Sequence, residues 1–402
     1  MNCTQKASIT VLSTADFASE VWTNKQFLAA GLADSGHTIY YIESIGLREP
    51  TFSWTDFKRV LDKLRGRHRS PKRATQNAPG NLHIITPKVL PWHRFRAVRV
   101  INKRIIDRTV LSRIPKEERS ILWSFSPLTY GLEDSFGHTV YHSVDLLHTI
   151  PGVPELLLLA RERHVLALSS TVVASSTGVA KHLKELGRND VILWENVAST
   201  ELFSASGHER TPRAIFAGNL TETKIAVPLF EALINRGVPI AIAGPVGIDG
   251  TRLSVPAEAV LAHPLVSYLG NLSLQDLAIE VGRSQVGLIP YLRNEYTRGV
   301  FPMKVFEYLA SGLSVVSTEL ESLIDAQIEG LEVVGDEDFA DVVHAEIAAF
   351  SESAATGRTL AASAHSWTSR IHDASELVER LAANEDCVTS AGRTALPGES
   401  RG

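Results

Sequence analysis

The chain has 402 residues, 44% of them hydrophobic and 21% charged, an ordinary globular balance that at about 100–200 residues per domain predicts two or three domains. No stretch reaches the roughly 18 uninterrupted apolar residues of a membrane-spanning helix, and the first residues lead into a strand rather than a signal-peptide core, so a cytoplasmic protein is expected. The net charge of −5 divides unevenly: residues 1–200 carry 26 Lys and Arg against 18 Asp and Glu, and residues 201–402 carry 14 against 27, which predicts two domains with different partners, the first facing something anionic.

Cys3 and Cys387, near the two ends and without metal-type spacing, suggest neither a disulfide framework nor a zinc site. In chain order, residues 9–12 read as a strand, 22–35 as a helix stopped by Gly36, and 38–43 as the next strand. Strand patterns follow at 84–86, 121–124, 139–144, 172–175 and 191–194, with helices such as 178–186 between them, the alternation of a parallel sheet. Ser, Gly, His and Pro at 204–212 mark a linker, after which the pattern restarts. Strands are expected at 213–218, 239–244, 266–269, 286–290 and 314–317, and helices at 226–236, 274–283 and 303–311. Residues 340–350 and 369–383 read as helical, and 384–402 as a disordered tail. The expected fold is α/β with two doubly wound, Rossmann-like halves, residues 1–205 and 206–370, followed by a terminal helix at 371–383.

The informative segment is FPMKVFEYLASG, residues 301–312. Pro302 suits a first helical position and Gly312 the left-handed residue past the end. By helical spacing Lys304, Glu307, Tyr308 and Ser311 share a polar face, while Val305, Phe306 and Leu309 can bury. The helix start offers unpaired N–H groups to a diphosphate, Lys304 adds a positive charge, and Glu307 can accept from ribose hydroxyls. An ordinary solvated amphipathic helix accounts for these few residues equally well.

PMKVFEYLASGLSVV, from Pro302, resembles the P-x-K-x-x-E-(Y/A)-(L/M)-A-x-G-x-P-V-V signature of GT-B glycosyltransferases of the GT4-like kind. FAGNL at 216–220, AGP at 243–245, YLGNLS at 268–273 and HSWTSR at 365–370 agree in order, so the likeness spans residues 9–383. Met303 before Lys304 also resembles the xanthan-type glucuronosyltransferases, where a Met-Lys pair contacts the nucleotide. The resemblance implies the GT-B fold, with residues 1–205 binding the acceptor, 206–370 the donor and the terminal helix packing back on the first domain, and a nucleotide-sugar donor, favouring a UDP-sugar, with no further cofactor and no metal. It assigns donor contacts to Gly218, Asn219, Gly244, Tyr268, Leu269, Tyr291, Arg298, Met303, Lys304 and Glu307. A plain turn at Gly218 and Asn219, and an exposed loop arginine at 298, are the bland readings of those positions. No dinucleotide-binding G-x-G-x-x-G follows a strand, which argues against a dehydrogenase.

Two positions depart from the retaining pattern: Gly299 stands where a second glutamate is usual, and Ser314 replaces a proline. The first tilts the expectation toward inversion, which needs a general base from the first domain. Asp145, just past a strand end, is the first candidate and Asp16, in the loop after the first strand, the second. His142, within a strand, is a core histidine or a tuning neighbour. Asp336 to Asp338 reads as a turn.

Basic residues crowd 58–73, and WHRFRAVR at 92–99 with Lys103 and Arg104 interleaves aromatic and basic side chains. Such a surface suits anionic headgroups at the inner face of a membrane, and a glycan or lipid-linked acceptor there, as well as a merely solvated loop. Without a recognised motif the charge does not indicate nucleic acid. Alternatives to a glycosyltransferase are a GT-B-fold sugar-nucleotide epimerase and a non-catalytic sugar-nucleotide-binding protein.

Overall fold

The computed structural model describes residues 6–19, 22–49, 79–204, 209–246, 253–324 and 326–391, with side chains up to residue 383. The basic run at 58–73 and Cys3 lie outside these residues.

Seven strands form the first sheet: β1 (Ser8–Leu12), β2 (Thr38–Ile42), β3 (Leu82–Ile85), β4 (Ile121–Ser124), β5 (His138–Ser143), β6 (Thr171–Ala174) and β7 (Val191–Leu193). Their spatial order is β3-β2-β1-β4-β5-β6-β7. Six form the second: β8 (Ala214–Ala217), β9 (Ile240–Ala243), β10 (Val266–Gly270), β11 (Val286–Ile289), β12 (Ser314–Thr318) and β13 (Leu331–Val334), ordered β10-β9-β8-β11-β12-β13. Every strand pairing within these sheets is parallel. The central strands β4, β8, β9, β11 and β12 are buried along their whole length, which is why they read as near-continuous apolar runs: helices cover both faces. In each sheet the order reverses between the first and fourth strands, β1 and β4 or β8 and β11, where doubly wound sheets open a crevice at their carboxyl edge.

Several elements are absent from the sequence reading. The Arg96–Ile106 helix is basic enough to read as surface loop, and Val255–Leu261 and Glu352–Ala362 are short or only weakly amphipathic. β13 carries Glu332 and is bounded by Gly330 and Gly335. The terminal helix runs Trp367–Ala391, correcting the expectation of disorder from residue 384: no glycine or proline interrupts the chain until Gly392.

That helix belongs to the first sheet's core. Ala374, Leu377, Val378 and Leu381 pack with Leu28, Leu32 and Ile39, and Gly31 of the Asn24–Asp34 helix lies directly beneath Ile371. Phe27 and Trp367 stack with centroids 4.7 Å apart and planes inclined 14°. Where the chain crosses and recrosses between the two sheets, Ala198 and Ser366 form a parallel bridge. Trp367→Ala should lower the unfolding free energy by about 2–3 kcal/mol, below the range for fully buried tryptophans because Trp367 is half-buried. Denaturant unfolding measures this, and an unchanged midpoint would count against the docking.

Candidate active site

The segment Arg298 to Phe301, entering the signature helix, is pinned between the two halves. Three consecutive carbonyls accept side-chain hydrogen bonds: Gly299 from Ser176 Oγ (2.8 Å), Val300 from Ser322 Oγ (2.6 Å) and Phe301 from Asn196 Nδ2 (2.6 Å). Ser176 caps the Thr177–Glu185 helix and also accepts from Val179 N–H. Asn196 Oδ1 in turn accepts from Asn24 Nδ2 at 2.6 Å, so the first domain holds this strap at two points. A Cβ on Gly299 would lie 2.6 Å from Leu146 Cγ, and one on Gly178 only 2.2 Å from the Arg298 carbonyl oxygen. A glutamate has no room at 299 while the halves are so packed.

The strap delivers the Lys304–Ala310 helix. Met303 is its cap and Pro302 lies one residue outside, rather than at the first helical position. Gly312 takes φ +80° and Leu313 N–H returns to the Tyr308 carbonyl, closing the helix as its left-handed glycine predicts. The expected polar face is mostly not free, which corrects the sequence reading. Tyr308 is fully buried and its hydroxyl accepts from Ala217 N–H, while Ser311 Oγ donates to the Phe203 carbonyl. The helix is too deeply sunk for its spacing to assign faces. Lys304 and Glu307 form an ion pair, with Lys304 also 6.0 Å from the Phe203 ring centroid. Met303 and Lys304 are half-buried.

Asp145 follows β5, is half-buried, and interacts electrostatically with one lysine from each domain: Lys25 in the first turn of the Asn24–Asp34 helix and Lys224 in the loop after β8. Burial raises the Asp145 carboxyl above its ordinary range, an effect the two lysines oppose. Burial lowers Lys25, with Asp145 opposing, and its ammonium lies 5.9 Å from the Phe125 ring centroid. Lys224 is raised: burial works against its charge, but Tyr291, Tyr296 and Asp145 outweigh it, and its ammonium sits 4.2 Å from the Tyr291 ring centroid. The lysine's loop is fixed by an antiparallel bridge between Ile225 and Tyr291, and by Leu292 N–H to the Lys224 carbonyl. Lys25 and Lys224 were missed because isolated lysines on a helix start and a loop normally face solvent. The available signal was their position after the first strand of each half, beside each crevice.

The remaining expected residues separate. Asp16 is half-buried in the loop after β1, where its carbonyl accepts from Gln26 Nε2. His142 is buried among Trp123, Phe125 and Trp194, and its Nδ1 accepts from the Trp123 indole. Burial, with Arg370 and Lys25 nearby, holds it well below the usual histidine range: a neutral core residue. Gly218 commits its N–H to the Ala243 carbonyl, so that donor is not offered to phosphate. The close approach belongs to Gly244 instead, at φ +134°, where a Cβ would lie 2.0 Å from the Gly218 oxygen. Asn219 Oδ1 is buried without a hydrogen-bond partner among the described residues. Tyr268 and the half-buried Leu269 lie on the outermost strand β10, two strands from the crevice, with the Tyr268 hydroxyl donating to the Gly244 carbonyl. Arg298 pairs with Glu295 at 3.2 Å on the rim of a groove of about 400 Å³ lined also by Arg293, Glu319 and Glu321. Asp336 to Asp338 form a turn, with Asp336 paired to Arg293.

Two Rossmann-like domains whose carboxyl edges face one cleft constitute the GT-B fold. Solved structures agree: a glycosyltransferase from Rickettsia africae ESF-5 has a TM-score of 0.67 at 14% identity, over 94% of this chain and 100% of that one. Sucrose-phosphate synthase from Thermosynechococcus elongatus has 0.69 at 13%, with the same coverage. Anabaena HepE in complex with UDP has 0.59 at 12%, over 94% and 100%. Among curated proteins the chain is similar to TuaH of Bacillus subtilis strain 168, described as a teichuronic acid biosynthesis glycosyltransferase, with 26% identity over 216 residues. That match covers 50% of this chain and spans about half of the relative, 53%. No protein-family model matches the chain.

Gly178→Ala, or Gly299→Glu at the position of the missing carboxylate, should each lower stability by about 1–3 kcal/mol through forced separation of the strap from the first domain. A melting temperature equal to the wild type for both would show that the strap is not tightly seated.

Proposed function

We propose that this chain is a glycosyltransferase that moves a sugar from a nucleotide-sugar donor, a UDP-sugar by preference, to a hydroxyl of a glycan or lipid-linked acceptor with inversion at the anomeric carbon. The observation that carries the reading is the convergence, at the facing carboxyl edges of two parallel sheets, of Asp145 with Lys25 and Lys224 from opposite domains. The likeness to TuaH and to a fold solved with UDP in HepE supports it.

In this reading Asp145 takes the proton of the acceptor hydroxyl as its oxygen attacks the anomeric carbon, and the bond from that carbon to the diphosphate oxygen breaks. Lys224 and Lys304 meet the charge growing on the leaving diphosphate, and Glu307 accepts from the ribose hydroxyls. Gly299 leaves no carboxylate beside the donor sugar, consistent with inversion. Asp145 is favoured over Asp16 because its carboxylate is coupled to Lys224 across the cleft. A GT-B epimerase would convert the donor with no acceptor present, so donor-only incubation separates the two reactions.

Lys304→Ala should lose more than about tenfold in kcat/KM, near 1.4 kcal/mol. Asp145→Asn should lose about 100-fold or more, with Asp16→Asn far less affected. Because the active form is the ionised carboxylate and its pKa is raised, wild-type kcat/KM should fall as the pH is lowered through a value above the ordinary carboxyl range. An acid limb unchanged in position in Asp145→Asn would give the base to another group.

We also propose that the first domain rests on an anionic membrane surface. The Arg96–Ile106 helix exposes Phe95 at its start, with Val100 and Ile101, among Arg96, Arg99, Lys103 and Arg104. The same basic residues line a groove of about 790 Å³ together with Arg161 and His164 and with the acidic Asp107, Glu133 and Asp134, Lys103 lying 3.6 Å from Asp107. No helix among the described residues is long and apolar enough to cross a membrane. Reversing Arg96, Lys103 and Arg104 to Glu should weaken sedimentation with phosphatidylglycerol vesicles by more than about 100-fold, at about 1 kcal/mol per basic residue. Equal binding of wild type and variant would refute the contact.

A further inference from the structure

Behind the turn that carries Asp145, three side chains of metal-ligating chemistry meet. His148 lies three residues beyond Asp145, Glu162 on the Glu155–Leu168 helix and His182 on the Thr177–Glu185 helix. A ring nitrogen of each histidine and a Glu162 carboxylate oxygen all lie within 4.8 Å of one another. Glu162 and His182 are buried, and His182 Nε2 is 2.8 Å from Glu162 Oε2. The two imidazoles stack at 4.5 Å, and His148 Nδ1 is buried without a hydrogen-bond partner among the described residues.

We infer that His148, Glu162 and His182 form a binding site for a divalent transition metal ion, Zn²⁺ by preference, that fixes the turn bearing Asp145 and Leu146. The donor set of two imidazoles and one carboxylate suits a borderline-soft ion rather than Mg²⁺ or Ca²⁺, which take mainly oxygen ligands. Glu162 already has Tyr141 and His182 as partners, so the polar atom left without one is His148 Nδ1, a buried orphan of the kind a bound ion would engage. The outer support is already present: the Tyr141 hydroxyl donates to Glu162 Oε1 at 2.7 Å and so orients the carboxylate. Drawing the three ligand atoms from within 4.8 Å of one another to the roughly 3.3 Å separations of a tetrahedral zinc site requires the His148 ring to approach and to turn out of its stack with His182, and His148 sits on the single turn Leu147–Thr149 rather than on a long helix. Leu146 packs against Gly299, so an ion held here would tie the candidate base and the interdomain strap to one rigid point. The site stands independently of the transferase reading.

The test uses the full chain, stripped with chelator and titrated with Zn²⁺ alone. Wild type should bind one equivalent that survives dialysis and raises the melting temperature, and Co²⁺ in its place should give the visible absorption of a low-coordinate site. His148→Ala should bind at least about tenfold more weakly and lose the Co²⁺ band. His148→Gln must show the same loss if the alanine variant fails to fold. The chain has 14 histidines, so the variants distinguish this site from surface uptake. Absence of a bound equivalent, or equal Zn²⁺ affinity in wild type and the His148 variants, overturns the inference and leaves a buried His–Glu pair.

Discussion

The arrangement rests on three hydrogen bonds to the successive carbonyls of Gly299, Val300 and Phe301, two given by the first domain and one by the second. A backbone segment without regular structure would otherwise carry unsatisfied carbonyls in a buried interface, and side-chain donors from Ser176, Ser322 and Asn196 meet that need. Because the strap runs directly into the Lys304–Ala310 helix, the Lys304–Glu307 pair inherits its position from contacts made by the other domain. The close approach also dictates small residues on both sides: Gly178 and Gly299 meet where a Cβ would collide with a carbonyl or with Leu146. The absence of a glutamate at 299 is thus a packing requirement as well as a chemical statement.

Electrostatics is the second layer. Asp145 is more buried than a carboxylate prefers, and its raised pKa is retained despite two lysines nearby. A carboxyl whose folded pKa exceeds its unfolded value contributes stability below the unfolded pKa and loses it as the pH rises through the folded one. Keeping Asp145 ionised near neutrality is therefore a cost to the fold, of the kind found where a base must stay reactive. Lys25 and Lys224 reduce that cost from opposite sides of the cleft, so bringing the domains together assembles the charge pattern as well as the shape.

Much of the fold could be read from the chain, because strands buried on both faces announce themselves as apolar runs, as in AIFA at 214–217 and IAIA at 240–243. The elements that escaped, such as Arg96–Ile106 and Glu352–Ala362, have compositions set by charge or weak amphipathicity rather than by burial. For the candidate site, a place just past a strand end singled out Asp145, and motif spacing singled out Lys304 and Glu307. It could not show that Tyr308 and Ser311 turn inward, since a helix buried on nearly every side has no polar face to display. Nor could it find Lys25, Lys224 or Asn196, whose contacts join residues far apart in sequence, within the first domain for Lys25 and across the interface for Lys224 and Asn196.

The central claim is that the cleft binds a nucleotide sugar between the two domains. A thermal-shift screen of UDP-, GDP- and dTDP-sugars tests it most directly, since a ligand at 100 times its Kd stabilises the folded state by about 2.7 kcal/mol. The account predicts that one nucleotide class, UDP foremost, raises the melting temperature of the wild type and does so much less for Lys224→Ala. No shift with any of the three, at millimolar concentration, would contradict it.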